Sequence, residues 1–106
     1  EGAGGLMVPL NDKDLILDLI KNIGVKTILF SSNYLGSINH TLLTYEVLVK
    51  NNIPIAGIIF NGPENKETES FILQYTNLPC LLRVEQEDKI TKEIIQKYAE
   101  QWKGIQ

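Results

Sequence analysis

Apolar residues along this chain alternate between two rhythms. Leu15, Ile16, Leu19, Ile20 and Ile23 recur at helical spacing, with Asn11 and Asp12 ahead of them as N-cap candidates and Gly24 closing the helix. Val25–Ser32 (VKTILFSS) is a short continuous apolar run rich in β-branched and aromatic residues, which predicts a strand covered on both faces. A polar loop follows over Asn33–Ser37. A second helix is predicted from about Ser37–Asn39 to Asn51, with Leu42, Leu43, Val47 and Leu48 as its inner face. After Pro54, Ile55–Phe60 (IAGIIF) reads as another buried strand, ended by the loop signal Asn61-Gly62-Pro63. A third helix fits Lys66–Tyr75 and a third strand Leu78–Val84. Thr91–Trp102 reads as a closing helix with Ile94, Ile95, Tyr98 and Trp102 on one side.

Helices that alternate with continuous apolar strands predict an α/β fold, a parallel sheet with helices on both faces. Only three strands are predicted, against about five or six in a typical sheet. Such a small parallel sheet leaves long unpaired edges, so further strands are expected before Glu1. No internal repeat, low-complexity segment or second domain is visible; residues 1–106 read as part of one domain.

Composition narrows the function classes. The chain has 106 residues, 43% hydrophobic and 22% charged, with a formal charge of −3. That balance gives no general attraction to nucleic acid or anionic membrane, so phosphate binding has to come from local geometry. No apolar run approaches the roughly 20 residues that span a bilayer, and no signal peptide is visible. The single cysteine, Cys80, fits a reducing cytoplasm and, beside Leu78, Leu81 and Leu82, reads as a core thiol rather than a nucleophile. One cysteine and one histidine exclude a Cys/His zinc site.

Ligands in open α/β sheets collect beyond the C-terminal ends of the strands. Three loops are expected there: Glu1–Gly5, Ser31–His40 and Phe60–Glu64. In the first, Glu1-Gly2-Ala3-Gly4-Gly5 joins a carboxylate to a glycine run whose N–H groups can approach an anion. Glu1 can hold Mg²⁺; the plainer reading is a glycine-rich turn with a surface carboxylate. A carboxylate of this kind usually ends a buried strand, so the chain is expected to begin inside a site, as a fragment, a processed product or one half of a two-piece protein. In the second loop, Ser37 or Asn39 is placed to cap the next helix, whose first N–H groups would face a carboxylate or phosphate. His40, in the first turn, reads more readily as structural than as catalytic. Ser31, Ser32 and Ser37 lack a base and orienter, which argues against a hydrolase triad. In the third loop, the amide of Asn61 can pair with a purine edge or stabilise its own turn. No G-x-x-x-x-G-K-[ST] occurs anywhere, so the cradle for a triphosphate is not among these residues.

Three motifs then converge. Glu1-Gly2-Ala3-Gly4-Gly5-Leu6 with Val8-Pro9-Leu10 resembles the EGAGG-L-x-x-P-L segment of the ATP-dependent dethiobiotin synthetase family. VKTILF followed by Leu35-Gly36-Ser37-Ile38-Asn39-His40-Thr41-Leu42-Leu43-Thr44 resembles its LG-x-INH-x-LLT loop and helix, and Ile53–Asn61 its next helix-to-strand step. The resemblance covers the first two thirds of the chain well and the last third poorly. It implies the second half of a P-loop NTPase-like domain and a ligase of biotin biosynthesis. That ligase turns 7,8-diaminononanoate, CO₂ and ATP into dethiobiotin through a carbamate and a carbamic-phosphate intermediate.

By the same resemblance, Glu1 holds Mg²⁺ and Glu1, Gly2, Ala3 and Gly4 lie at the reacting groups. Asn61 binds the nucleotide. The family works as a homodimer, so Leu35, Gly36, Ser37, Ile38 and Asn39 receive the substrate carboxylate from the neighbouring subunit. One departure stands out: where the family commonly has Gly-x-Ile-Pro, this chain has Arg83-Val84-Glu85-Gln86-Glu87-Asp88. No site residue is carried onto that stretch, whose acids are placed to flank the last helix's N-terminus. Without a P-loop, these residues alone are expected to be inactive.

Two other readings compete. Cobyrinic or cobyric acid synthase-type ligase domains share the architecture, though Leu35–Thr44 favours dethiobiotin synthetase. A non-catalytic half-domain that completes its sheet on a partner is favoured by the missing P-loop; a P-loop encoded about a hundred residues upstream would decide for the enzyme.

Overall fold

The computed structural model describes residues 1–2 and 4–104. Its elements are α1 (Ile16–Ile23), β1 (Thr27–Ser32), α2 (Ser37–Lys50), β2 (Ile55–Asn61), α3 (Lys66–Thr76), β3 (Cys80–Val84) and α4 (Lys92–Gln101). The strands form one sheet in the order β1-β2-β3, both pairs parallel. The alternation of elements and the parallel sheet expected from the apolar pattern are therefore present.

The central strand carries the core. Ile58 and Phe60 of β2, Leu48 of α2 and Ile72 of α3 are the largest fully buried side chains, joined by Leu17, Leu29 and Ile53. Burying each of these is worth about 1.5–3 kcal/mol. α2 and α3 pack side by side, as right-handed crossovers between successive parallel strands require. They touch directly: Tyr45 Oη donates to Thr76 O at 3.3 Å and Tyr75 Oη to Glu46 Oε1 at 3.0 Å. A buried hydroxyl pair, Ser31 Oγ and Thr41 Oγ1 at 2.8 Å, ties β1 to α2.

Several boundaries and faces differ from the sequence reading. Neither Asn11 nor Asp12 caps α1, because Asn11 Oδ1 accepts from the N–H groups of Lys13 and Asp14 at 2.8 and 2.9 Å in a turn of its own. The helix begins after Leu15, whose N–H donates to Asp18 Oδ2 at 2.8 Å. Gly24 closes it as expected, with φ 70°. β1 is covered on one face only: Leu29 and Ser31 are buried under α2, while Ile28 and Phe30 on the other parity are exposed, Phe30 by 69%. On α2, Leu43 lies outside the inner face and is exposed, whereas the small polar Ser37 and Thr41 are buried.

At the C-terminal end, Ile95 and Trp102 are exposed, and α4 stops at Gln101. What holds α4 is Tyr98, whose hydroxyl donates to Glu87 Oε1 at 2.6 Å and accepts from Glu85 N at 3.0 Å. The Tyr98 hydroxyl, helped by Lys97, keeps the Glu87 carboxyl below its usual range. The acids after β3 thus grip the middle of α4 as well as preceding its start. Cys80 is half-buried against the core, and burial followed by the Glu69 charge pushes its thiol up, away from nucleophile behaviour.

One glycine is demanded by packing. A Cβ at Gly57 would lie 2.6 Å from Pro79 O and 2.6 Å from Leu81 Cγ. The backbone oxygen cannot rotate away, so β2 and β3 meet this closely only with hydrogen at that position. Gly57→Ala is therefore expected to destabilise the fold by roughly 1–3 kcal/mol through overpacking. Thermal unfolding measures it, and an unchanged midpoint would show that the two strands separate at little cost.

Candidate functional site

Parallel pairing places Ser32, Asn61 and Val84 side by side at the C-terminal ends of their strands. The second and third loops leave from this edge. Gly4 and Gly5 of the first loop, both in left-handed conformations (φ 85° and 106°), come back beside β1. With Ser31, Ser32, Tyr34, His40 and Thr41 they line a hollow of about 640 Å³, floored by apolar residues that include Leu6, Leu29 and Val47. A second hollow of about 520 Å³ adjoins it; Glu1 and Gly2 line that one, with Gly4 and Gly5 shared between the two and Ile16, Ile28 and Phe30 as apolar wall.

Of the residues singled out from sequence, Glu1, Gly2 and Gly4 thus gather along one continuous concave surface. Ala3 lies outside the described residues. Glu1 is exposed, and among the described residues no group of three or more His, Cys, Asp or Glu could hold a metal ion. Its single hard oxygen donor fits Mg²⁺ only as one ligand of several, the usual arrangement when substrate phosphates and water complete the shell.

Leu35, Gly36, Ser37, Ile38 and Asn39 line neither hollow. Leu35 is fully exposed, Gly36 and Asn39 are exposed, Ile38 packs against the core and Ser37 is buried. Neither Ser37 nor Asn39 caps α2. The N-cap is Gly36 in a left-handed conformation (φ 95°) that favours glycine, and glycine has no side chain to supply a cap hydrogen bond. Ser37 N donates to Tyr34 O at 3.0 Å. The first-turn N–H groups of Ile38 and Asn39 have no intrahelical acceptor, which leaves the positive end of a 14-residue helix facing outward.

Asn61 is exposed at the end of β2 and lines neither hollow. It is one strand away from the concave surface, beside Ser32.

Two features escaped the sequence reading. Tyr34 Oη and His40 Nδ1 lie 2.7 Å apart on the wall of the larger hollow, their ring centroids 5.7 Å apart. His40 is thus half of a polar pair that fixes the loop before α2. The second is a buried cluster under the Asn61 turn, where Glu69, only 8% exposed, meets Arg83 Nη2 at 3.0 Å and Asn33 Nδ2 at 2.8 Å. A sequence signal for it existed: Glu69, Ile72 and Thr76 share one helix face, and all three are buried. An acid on a core stripe requires a donor partner.

Comparison with known proteins adds to this geometry. A family model described as an AAA domain matches residues 1–94. The chain is 54% identical over 99 residues to the ATP-dependent dethiobiotin synthetase BioD of Cytophaga hutchinsonii, covering 93% of this chain and 48% of that protein. It is 46% identical over 103 residues to the protein of the same name from Christiangramia forsetii, covering 97% of this chain and 49% of the relative. It is also 37% identical over 101 residues to the biotin biosynthesis bifunctional protein BioCD of Bordetella avium, with 95% of this chain and 22% of that one covered. Likeness therefore runs well beyond the first two thirds of the chain, and the chain spans about half the length of the two dethiobiotin synthetases it matches. A parallel α/β sheet, a match through residue 94 and these relatives together establish that the chain belongs to the AAA domain family, with a P-loop NTPase-like fold, and that it resembles the dethiobiotin synthetases.

Proposed function

We propose that this chain forms the C-terminal part of a single-domain, ATP-dependent dethiobiotin synthetase of biotin biosynthesis, acting as a homodimer in the cytoplasm. The observation that carries the reading is the concave surface along which Glu1, Gly2 and Gly4 adjoin the loop after β1, in a chain 54% identical to a relative of that name. The cytoplasmic placement draws support from the lone free Cys80. No helix among the described residues is long and apolar enough to cross a membrane.

The reaction begins when one amine of 7,8-diaminononanoate adds to CO₂ and loses a proton, giving a carbamate. A carbamate oxygen attacks the γ-phosphorus of ATP and ADP leaves. The second amine then attacks the carbamoyl carbon, phosphate departs, and the ureido ring closes. Phosphoryl transfer of this type is mostly positioning and charge neutralisation. In this reading the N–H groups of Gly2 and Gly4 approach the reacting carbamate and phosphate. The apolar floor of the hollows suits a methylene chain. Glu1 supplies one carboxylate to Mg²⁺, which when bound neutralises phosphate charge.

The outward-facing N-terminus of α2, with Leu35, Gly36, Ser37, Ile38 and Asn39, takes the carboxylate of a substrate bound to the neighbouring subunit. Its place outside the hollows supports a role in trans. Asn61 contacts the adenine. The triphosphate cradle belongs to residues beyond these 106, which by themselves turn over nothing.

The protein in its native length is expected to convert diaminononanoate, bicarbonate, ATP and Mg²⁺ into dethiobiotin, ADP and phosphate in equal amounts. ADP release without a ureido product would overturn the reading. Glu1→Gln should lower kcat by about tenfold or more at limiting Mg²⁺, since it removes an oxygen ligand from the ion. An unaltered Mg²⁺ titration would remove Glu1 from the metal site. Asn39→Ala is expected to raise KM for the diamine by roughly tenfold, the size of one hydrogen bond to a charged group, with kcat little changed. If KM stays put, Asn39 has no part in substrate binding.

A further inference from the structure

The turn Asn61-Gly62-Pro63 is held from three sides. Asn33 comes from the segment after β1, Glu69 from the first turns of α3 and Arg83 from β3. Glu69 Oε1 accepts from Asn33 Nδ2 at 2.8 Å, from Arg83 Nη2 at 3.0 Å and, more weakly, from Asn65 N at 3.4 Å. The same two nitrogens also reach the turn: Asn33 Nδ2 donates to Pro63 O at 2.9 Å and Arg83 Nη2 to Gly62 O at 3.0 Å. Each NH₂ group has two hydrogens. One goes to the buried carboxylate and the other to a carbonyl of the turn. Gly62 N donates to Val84 O at 2.9 Å, which pins the turn to β3 as well.

This arrangement is directional. Arg83 and Glu69 are nearly buried, at 20% and 10% side-chain exposure, and their mutual attraction offsets part of the loss of water. Neutralising a buried acid needs one cation. It does not need both donors to have their second hydrogens aimed at successive carbonyls of one turn. That second set of bonds removes the freedom of the backbone directly after Asn61. A side chain that reads a base must be held to about half an ångström by groups that are themselves locked.

We infer that Asn33, Glu69 and Arg83 form a positioning clamp that fixes the Asn61-Gly62-Pro63 turn for nucleotide recognition, a role that rests on Asn61 as the adenine contact. The clamp residues act through the turn and touch no ligand. Glu69 orients the two donors, and Asn33 and Arg83 transmit that order to the Pro63 and Gly62 carbonyls. Because Asn33 follows directly on β1, the clamp also joins the strand that lines the hollows to the loop that carries Asn61.

The test uses the native-length protein with Asn33→Ala, Arg83→Lys and Glu69→Gln, and Asn61→Ala as reference. Amide hydrogen exchange over residues 61–65 reports the clamp whatever the reaction is. Asn33→Ala and Arg83→Lys leave no uncompensated buried carboxylate, so they serve even where Glu69→Gln does not fold. Exchange in the turn should quicken about tenfold, the loss of one hydrogen bond to a fixed partner. KM for ATP should rise by a similar factor as in Asn61→Ala, while KM for the diamine stays within about twofold. A purely structural role would instead lower the melting temperature and move both KM values together. Unchanged exchange in all three variants overturns the clamp. Faster exchange with an unchanged KM for ATP, while Asn61→Ala raises it, overturns its role in nucleotide recognition. An Asn61→Ala protein with normal KM for ATP refutes the adenine reading itself, and the inference with it, and the exchange data keep that failure distinct.

Discussion

The parallel pairing of β2 with both its neighbours is the constraint on which the rest of this structure depends. β2 is buried along most of its length, and among the described residues it is the only strand with a partner on each side. Because both pairings are parallel, Ser32, Asn61 and Val84 end side by side, although long stretches of chain separate them. The loops after β1 and β2 therefore leave from one edge. An antiparallel pairing with the same buried residues would have sent Asn61 to the opposite end of the sheet from Ser32.

That edge is polar within an otherwise apolar layer, and the polarity is managed in two ways. Around the hollows, charge is sparse: Glu1 is exposed, and glycine N–H groups supply partial positive charge. This suits a chain with net charge −3, which has no general attraction for phosphate and must offer it oriented dipoles. Under the third loop, by contrast, a full ion pair is buried. Glu69 and Arg83 are held in low-dielectric surroundings, where a charge without a partner is costly. Their presence beneath a turn rather than in the main core links the energetics of the fold to the placement of Asn61.

The edge strand β1 serves function and stability together. Its inner residues, Leu29 and Ser31, are buried and also border the hollows, while Phe30 on the other face lines both hollows and remains exposed. Side chains alternate across a strand, and here both sets reach the concave surface.

Much of this was legible in the residues. Continuous apolar runs and helical-period apolar patterns located all seven elements, Gly24 marked the end of α1, and the EGAGG and LGSINHTLLT segments pointed to the dethiobiotin synthetase relatives. These are local properties, set by backbone sterics and by the spacing of side chains along one element. Tertiary structure alone decided the rest. It exposed Phe30 and Leu43 and set Asn61 one strand away from the hollows. It also brought Asn33, Glu69 and Arg83 to a shared point from 36 and 14 residues apart. A sequence records which residues can be buried or can donate a hydrogen bond. Which partner each one meets is decided by the packing of distant elements, because burial and pairing are properties of the space between them.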